Sequence, residues 1–121
     1  MQHGKFKLKI PENLPIPVGY KLLILLPEVE EKTEGGIIKT AGMREQEEIS
    51  SCVGYVHSMG NAAYTDKKRF PDGPYCEVDD WIVMRAYSGT RIRIDDGEIR
   101  FINDDSVDAV VVGDPNRVKK A

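Results

Sequence analysis

Thr90-Arg91-Ile92-Arg93-Ile94-Asp95-Asp96-Gly97-Glu98-Ile99-Arg100-Phe101-Ile102 is the stretch whose pattern commits the chain to β-structure. From Thr90 to Ile94 polar and apolar residues alternate with a period of two, the spacing of the two faces of a strand. Asp95-Asp96-Gly97 supplies a hairpin turn, and Glu98 to Ile102 answers the first strand with a second.

The same reading extends outward in both directions. Ser51 to Met59 alternates, with Val53, Tyr55 and His57 on one side and Cys52, Gly54, Val56 and Ser58 on the other. Gly54 inside that strand predicts a bulge or the close approach of another backbone. Cys76 to Met84 reads as a turn followed by a strand. Val18 to Leu26 is nearly continuous in apolar residues and stops at Pro27, which suits a core strand buried on both faces or one lying at a subunit contact. Ser106 to Val112 ends in Val110-Val111-Val112, a sticky edge unless something pairs with it. Seven or so short strands, two long excursions and no helical stripe predict an all-β fold, an irregular Greek-key β-barrel.

The first excursion covers about 28–50. Between Glu28 and Glu48 seven acids (Glu28, Glu30, Glu31, Glu34, Glu45, Glu47, Glu48) face three bases (Lys32, Lys39, Arg44), a local balance of −4 against −3 for the whole chain. Such a segment has too little apolar surface to offset the entropy of ordering it, so it reads as a long flexible loop. Gly35-Gly36 frees the backbone ahead of Ile37-Ile38, which can then be presented as an extended hook. A short strand begun after a glycine turn is the alternative on periodicity alone. The polar chain on both sides favours the loop, because loops beyond ~12–15 residues are usually functional or disordered. The second excursion, about 60–74, is rich in turn formers and carries Lys67-Lys68-Arg69 between Tyr64 and Phe70. That cluster could be a small nucleic-acid patch, but three bases in an acidic chain read better as a solvated loop tip.

A length of 121 residues sets one domain with a modest core, and three Phe and one Trp leave that core to Val, Ile and Leu. No window approaches the ~20 apolar residues that span a bilayer, and Lys21 interrupts the strongest run. The basic start lacks an apolar block with a cleavage site, so the chain is expected to be soluble and not exported. Residues 1–17 alternate bases with apolar residues and then carry Pro11, Pro15 and Pro17, which predicts an extended N-terminal arm whose charged start reads as a solvated tail rather than a binder of an acidic surface. Residues 113–121 read as a polar, frayed tail, leaving 18–112 as the barrel.

Cys52 and Cys76 are expected to stay reduced, and with His3 and His57 they fit no zinc spacing, so no metal is expected. His57 reads as a half-exposed strand histidine rather than a general base, since no nucleophile or orienting carboxylate is placed by motif. The pairs Asp79-Asp80, Asp95-Asp96 and Asp104-Asp105 each fall at a strand end beside a turn, where aspartate bonds the local backbone. There is no glycine-rich phosphate loop and no triad, so neither a catalytic residue nor a cofactor is expected. Net charge and a pI of about 5.4 give no nucleic-acid footprint.

The run Val29-Glu30-Glu31-Lys32-Thr33-Glu34-Gly35-Gly36-Ile37-Ile38-Lys39-Thr40 resembles the mobile loop of the GroES-type co-chaperonins, the lids of the chaperonin folding chamber. Val53-Gly54-Tyr55-Val56-His57-Ser58-Met59-Gly60-Asn61 resembles the strand leading to the roof of such a lid, and Tyr87-Ser88-Gly89-Thr90-Arg91-Ile92 the Tyr-Gly-Gly-Thr-Lys-Val run of mitochondrial lids. Together these cover about Pro17 to Val112. The resemblance implies that Gly35, Gly36, Ile37, Ile38 and Lys39 bind a GroEL-type chaperonin. Lys39 departs from the family, which has an apolar residue there. It further implies a roof hairpin at about 60–74 displaying Tyr64, Lys67, Lys68 and Arg69. Subunit contacts are implied through Val18, Tyr20, Val110, Val111 and Val112 in a heptameric ring that encloses folding clients. Where the family has Val-Gly-Asp, Val78-Asp79-Asp80 stands, so an Asp must take the turn position. The departures imply a divergent lid, serving a specialised partner or carried by a virus; its place of action is the cytoplasm, the host's if viral. Two other classes fit the residues alone, a β-barrel for single-stranded nucleic acid and a monomeric interaction module that adds Ile37-Ile38 to a partner as a strand.

Overall fold

The computed structural model describes residues 6–8, 10–29, 51–94 and 97–118. Eight strands account for its regular structure: β1 (Phe6–Lys7), β2 (Lys21–Leu25), β3 (Glu28–Val29), β4 (Val53–Met59), β5 (Trp81–Met84), β6 (Thr90–Ile94), β7 (Gly97–Asn103) and β8 (Val107–Val110). Two single 3-10 turns, at Asp104–Ser106 and Pro115–Arg117, are the only helical residues among those described. Six strands form one antiparallel sheet in the order β6-β7-β2-β4-β5-β8, and β1 pairs with β3. The all-β barrel fold expected from the sequence is the fold of the chain.

β2 is the axis of this arrangement. Leu22, Leu23, Ile24 and Leu25 are all buried to within 1% of full exclusion, so both faces of the strand lie in core. Leu22 and Ile24 join Val56, Ile82, Met84, Ile102 and Val107 on one side. Leu23 and Leu25 meet Ile99 on the other, with Phe101 and Ile94 packed around them. Full burial of each such side chain is worth ~1.5–3 kcal/mol, so β2 contributes more per residue than any edge strand can. The β6–β7 hairpin closes as the alternation predicts, with Ile94 opposite Gly97 and Arg91 opposite Arg100.

The space at the glycine in β4 is taken by a side chain of the neighbouring strand rather than by its backbone. A Cβ on Gly54 would stand 2.2 Å from Ile24 Cγ2, so the neighbouring strand occupies the space of a side chain. A bulge lies close by. Leu23 faces Ser58 while Ile24 faces Val56, which leaves His57 as the extra residue of β4.

Three expectations change in extent. The first core strand runs over 21–25 rather than 18–26, and Val18 and Tyr20 are exposed. The last strand runs over 107–110 rather than 106–112. The N-terminal arm is not simply a solvated tail. Phe6 and Lys7 pair with Val29 and Glu28, and Leu8 and Leu14 pack onto the Leu23–Leu25–Ile99 cluster. That face of β2 needs cover, and these leucines supply it.

Candidate functional site

The hook residues Gly35, Gly36, Ile37, Ile38 and Lys39 lie outside the described residues. The two roots of their segment do not. On the outgoing side β2 ends at Leu25, the Leu26 N–H donates to the Glu98 carbonyl at 3.3 Å, Pro27 is buried, and Glu28–Val29 form β3. On the returning side Ser51 and Cys52 make a turn into β4, and the Cys52 carbonyl accepts the Met84 N–H at 2.8 Å. Leu25 and Tyr55 face each other across the β2–β4 ladder. The excursion therefore leaves and rejoins the barrel on adjacent strands.

A buried arginine holds the returning root. Arg100 of β7 is fully excluded from solvent; its Nη1 donates to the Ser51 carbonyl at 2.9 Å and its Nη2 to Glu98 Oε2 at 3.2 Å. Burial pulls its basicity down, and Glu98 only partly offsets this. Glu98 also accepts from Arg91 Nη2 at 3.1 Å, so one carboxylate serves the two arginines that face each other across the hairpin. Arg91 in turn lies over the Tyr87 ring, 4.7 Å from its centroid. Sequence reasoning missed Arg100. The available signal was Glu98 two residues before it, on the same face of a strand that also carries Ile99, Phe101 and Ile102.

The second excursion contains no ladder; 60–80 is a succession of turns rather than a paired hairpin. An aromatic cluster fastens it. Tyr64 and Phe70 meet edge to face at 4.9 Å, as do Phe70 and Tyr75. The Tyr64 hydroxyl lies 3.4 Å from Cys76 Sγ, and burial followed by this bond pushes the phenol well above its ordinary 10.0. Burial likewise pushes the Cys76 thiol up from 9.0. The basic cluster divides. Lys67, Lys68 and Arg69 are all exposed, but Arg69 is also paired, its Nη2 lying 3.4 Å from Asp104 Oδ1 and 2.9 Å from Asp105 Oδ2. Desolvation works to lower the Arg69 pKa, and the two aspartates outweigh it.

Asp95-Asp96 lies outside the described residues; of the other two pairs, Asp80 bonds the local backbone as the turn reading predicts, while Asp104 bonds backbone 40 residues away. Asp79 adopts a φ of +78°, the position usually given to glycine, and accepts a bond from the Tyr55 hydroxyl. Asp80 Oδ2 accepts the Glu77 N–H at 2.8 Å, and Asp104 Oδ2 accepts the Tyr64 N–H at 3.0 Å. Among the described residues, no group of three or more His, Cys, Asp or Glu is placed to hold a metal. His57 is half-buried with Nδ1 3.4 Å from Ser58 Oγ.

The residues expected at subunit contacts are apolar and outward. Val18 is 75% exposed, Val112 84%, and Tyr20 and Val110 are also open to solvent. Val111 donates its N–H to the Trp81 carbonyl at 2.8 Å, extending β8 along β5. β8 itself is an outer strand of the sheet.

An all-β barrel, a long acidic excursion rooted on two adjacent strands, and the order of the motifs around it together define a co-chaperonin barrel. The chain belongs to the family described as Chaperonin 10 Kd subunit, which it matches over residues 15–111. It is similar to proteins named co-chaperonin GroES. The one from Clostridium beijerinckii is 28% identical over 95 residues, 78% of this chain and 95% of the relative. That of Geobacillus thermodenitrificans is 31% identical over 97 residues, 78% and 96% of the two chains. For Lactobacillus delbrueckii subsp. bulgaricus the identity is 27% over 96 residues, 78% and 96%. The chain is thus a co-chaperonin whose partner is a GroEL-type chaperonin, in a family that is not catalytic in its own right.

Proposed function

We propose that this chain forms a homo-oligomeric ring, heptameric in the manner of its family, and that segment 28–50 of each subunit docks Ile37 and Ile38 into a groove of the chaperonin. The ring closes a chamber in which client proteins fold, in the cytoplasm, while ATP hydrolysis belongs to the partner. The observation that carries this reading is the placement of the excursion's roots on the paired strands β2 and β4, a rigid base for an otherwise acidic, core-poor segment.

Magnitudes say why a ring is needed. Two buried isoleucines gain about 3–6 kcal/mol per loop, and ordering the loop costs on the order of 2–5 kcal/mol. One loop holds feebly. Several loops on one base convert later contacts into intramolecular ones, and avidity exceeds a single affinity by about 10²–10⁴. Release follows when each contact weakens slightly at once. Roof and contact assignments go with this reading: Tyr64, Lys67, Lys68 and Arg69 lie in the roof segment, and Val18, Tyr20 and Val110 to Val112 meet the neighbouring subunit. The test is pull-down of the chain by a GroEL-type ring with nucleotide. Ile38→Asp should abolish capture, and capture at undiminished strength would sink the proposal.

A further inference from the structure

Arg100 has no counterpart in what a barrel of this size needs. It is fully buried in a strand flanked by Ile99 and Phe101, beside Ile24 in the ladder. Among the described residues its charge has one carboxylate partner, Glu98, and that partner is shared with Arg91. Among the described residues its Nε has no hydrogen-bond partner. Burying a guanidinium so incompletely satisfied is unfavourable, and an aliphatic side chain of similar volume is often neutral or stabilising in such a place. The stability of the barrel does not account for an arginine here. What it does is reach the main chain of Ser51, itself 7% exposed, through the 2.9 Å bond from Nη1.

We infer that Arg100 is a positioning residue for chaperonin binding: it fixes the point at which segment 28–50 rejoins the barrel, so that docking does not also have to order that root. This rests on the reading of 28–50 as the chaperonin-binding segment. Ser51 lies directly after that segment and directly before β4. With its carbonyl held, Ser51 does not have to be ordered on docking. Each residue released at the root adds backbone ordering that weakens one loop about tenfold. Several loops acting together multiply that loss.

The experiment compares wild type, Arg100→Met, Arg100→Lys and Ile38→Asp for melting temperature, oligomer mass, and binding to a GroEL-type ring with nucleotide by titration calorimetry. Hydrogen exchange at the Cys52 and Val53 amides is followed in the free ring. The inference expects Arg100→Met to melt at or above wild type and to keep its oligomer. It should bind at least tenfold more weakly with a less favourable entropy, and exchange faster at Cys52 and Val53. Arg100→Lys keeps a donor near Ser51 and should recover part of the affinity. Unchanged binding by Arg100→Met overturns the inference and leaves the co-chaperonin reading intact. So does a binding loss that only follows a fallen melting temperature and lost oligomer. If Arg100→Met does not fold, wild-type binding by Arg100→Lys with faster exchange at the root overturns it equally. A wild-type chain that ignores the ring, and behaves like Ile38→Asp, overturns the reading of segment 28–50 and this inference with it.

Discussion

Arg69 reaches 35 residues along the chain to place its guanidinium 3.4 Å from the buried carboxylate of Asp104. The contact ties the second excursion to the turn that leads into β8, at the same carboxylate that receives the Tyr64 N–H. Asp104 is therefore a two-way fastener. Its neighbour Asp105 meets the same guanidinium but is 53% exposed. Asp104→Ala should destabilise the subunit by about 1–3 kcal/mol, because a part-buried N–H loses its acceptor. Asp105→Ala should stay within about 0.5 kcal/mol. Denaturant unfolding at fixed protein concentration compares them, and equal losses would contradict the assignment.

Gly54 faces Ile24 too closely for any side chain. Gly54→Ala should cost about 1–3 kcal/mol by overpacking the β2–β4 contact. Ile24→Ala removes the atom that clashes, so the double substitution should be less destabilising than the sum of the two. A strictly additive cycle would mean that the strands part without resistance.

Alkali should find the roof segment first. The folded pKa values of Cys76, chiefly through burial, and of Tyr64, through burial and then Cys76, are raised above 9.0 and 10.0. Tyr55 is raised as well, mainly by its bond to Asp79. A group raised in this way binds more protons folded than unfolded once pH exceeds its unfolded value, so stability is full below that value and falls above it. Melting temperature should be level up to about pH 9 and then decline. Cys76→Ala should move the start of the decline toward 10. A thiol reagent should modify Cys76 at neutral pH only as fast as the chain opens.

Val110 is an exposed apolar residue of the outer strand β8, 37% exposed and opposite Ile82. Burying a carboxylate at a subunit contact without a partner is strongly unfavourable. Val110→Asp should shift the oligomer toward smaller species while leaving the far-ultraviolet spectrum of the subunit unchanged. An oligomer of undiminished mass would move the contact elsewhere.

Lys39 stands where an apolar residue is usual in the family, and its methylene stem can cover a groove while the ammonium meets an acid at the rim. Lys39→Leu should bind a standard bacterial chaperonin better and a cognate partner worse. No change with either removes that role.

The core of this fold was legible because its signals are local. A nearly unbroken apolar run forces β2 to be buried on both sides, and the alternation from Thr90 to Ile102 could only be a hairpin. Gly54 announced a close approach, and Asp79 the turn it occupies at positive φ. The arginines were illegible for the opposite reason. An arginine in sequence signals surface, and nothing local to Arg69 points to Asp104, or to Arg100's reach for a main-chain carbonyl at Ser51. The docking of the N-terminal arm was hidden similarly, since Leu8 and Leu14 gain their meaning only from the second face of β2. The family was legible from its motifs, Gly35-Gly36-Ile37-Ile38 among them, while the roots of segment 28–50 in the barrel became visible only with the fold.

Size-exclusion chromatography with light scattering, on the chain alone and then with a GroEL-type ring and nucleotide, tests the central claim most directly. The account predicts a particle of about seven subunits that co-elutes with the chaperonin only when nucleotide is present. A monomer that elutes apart from the ring under both conditions would remove the avidity on which capping depends and contradict the account.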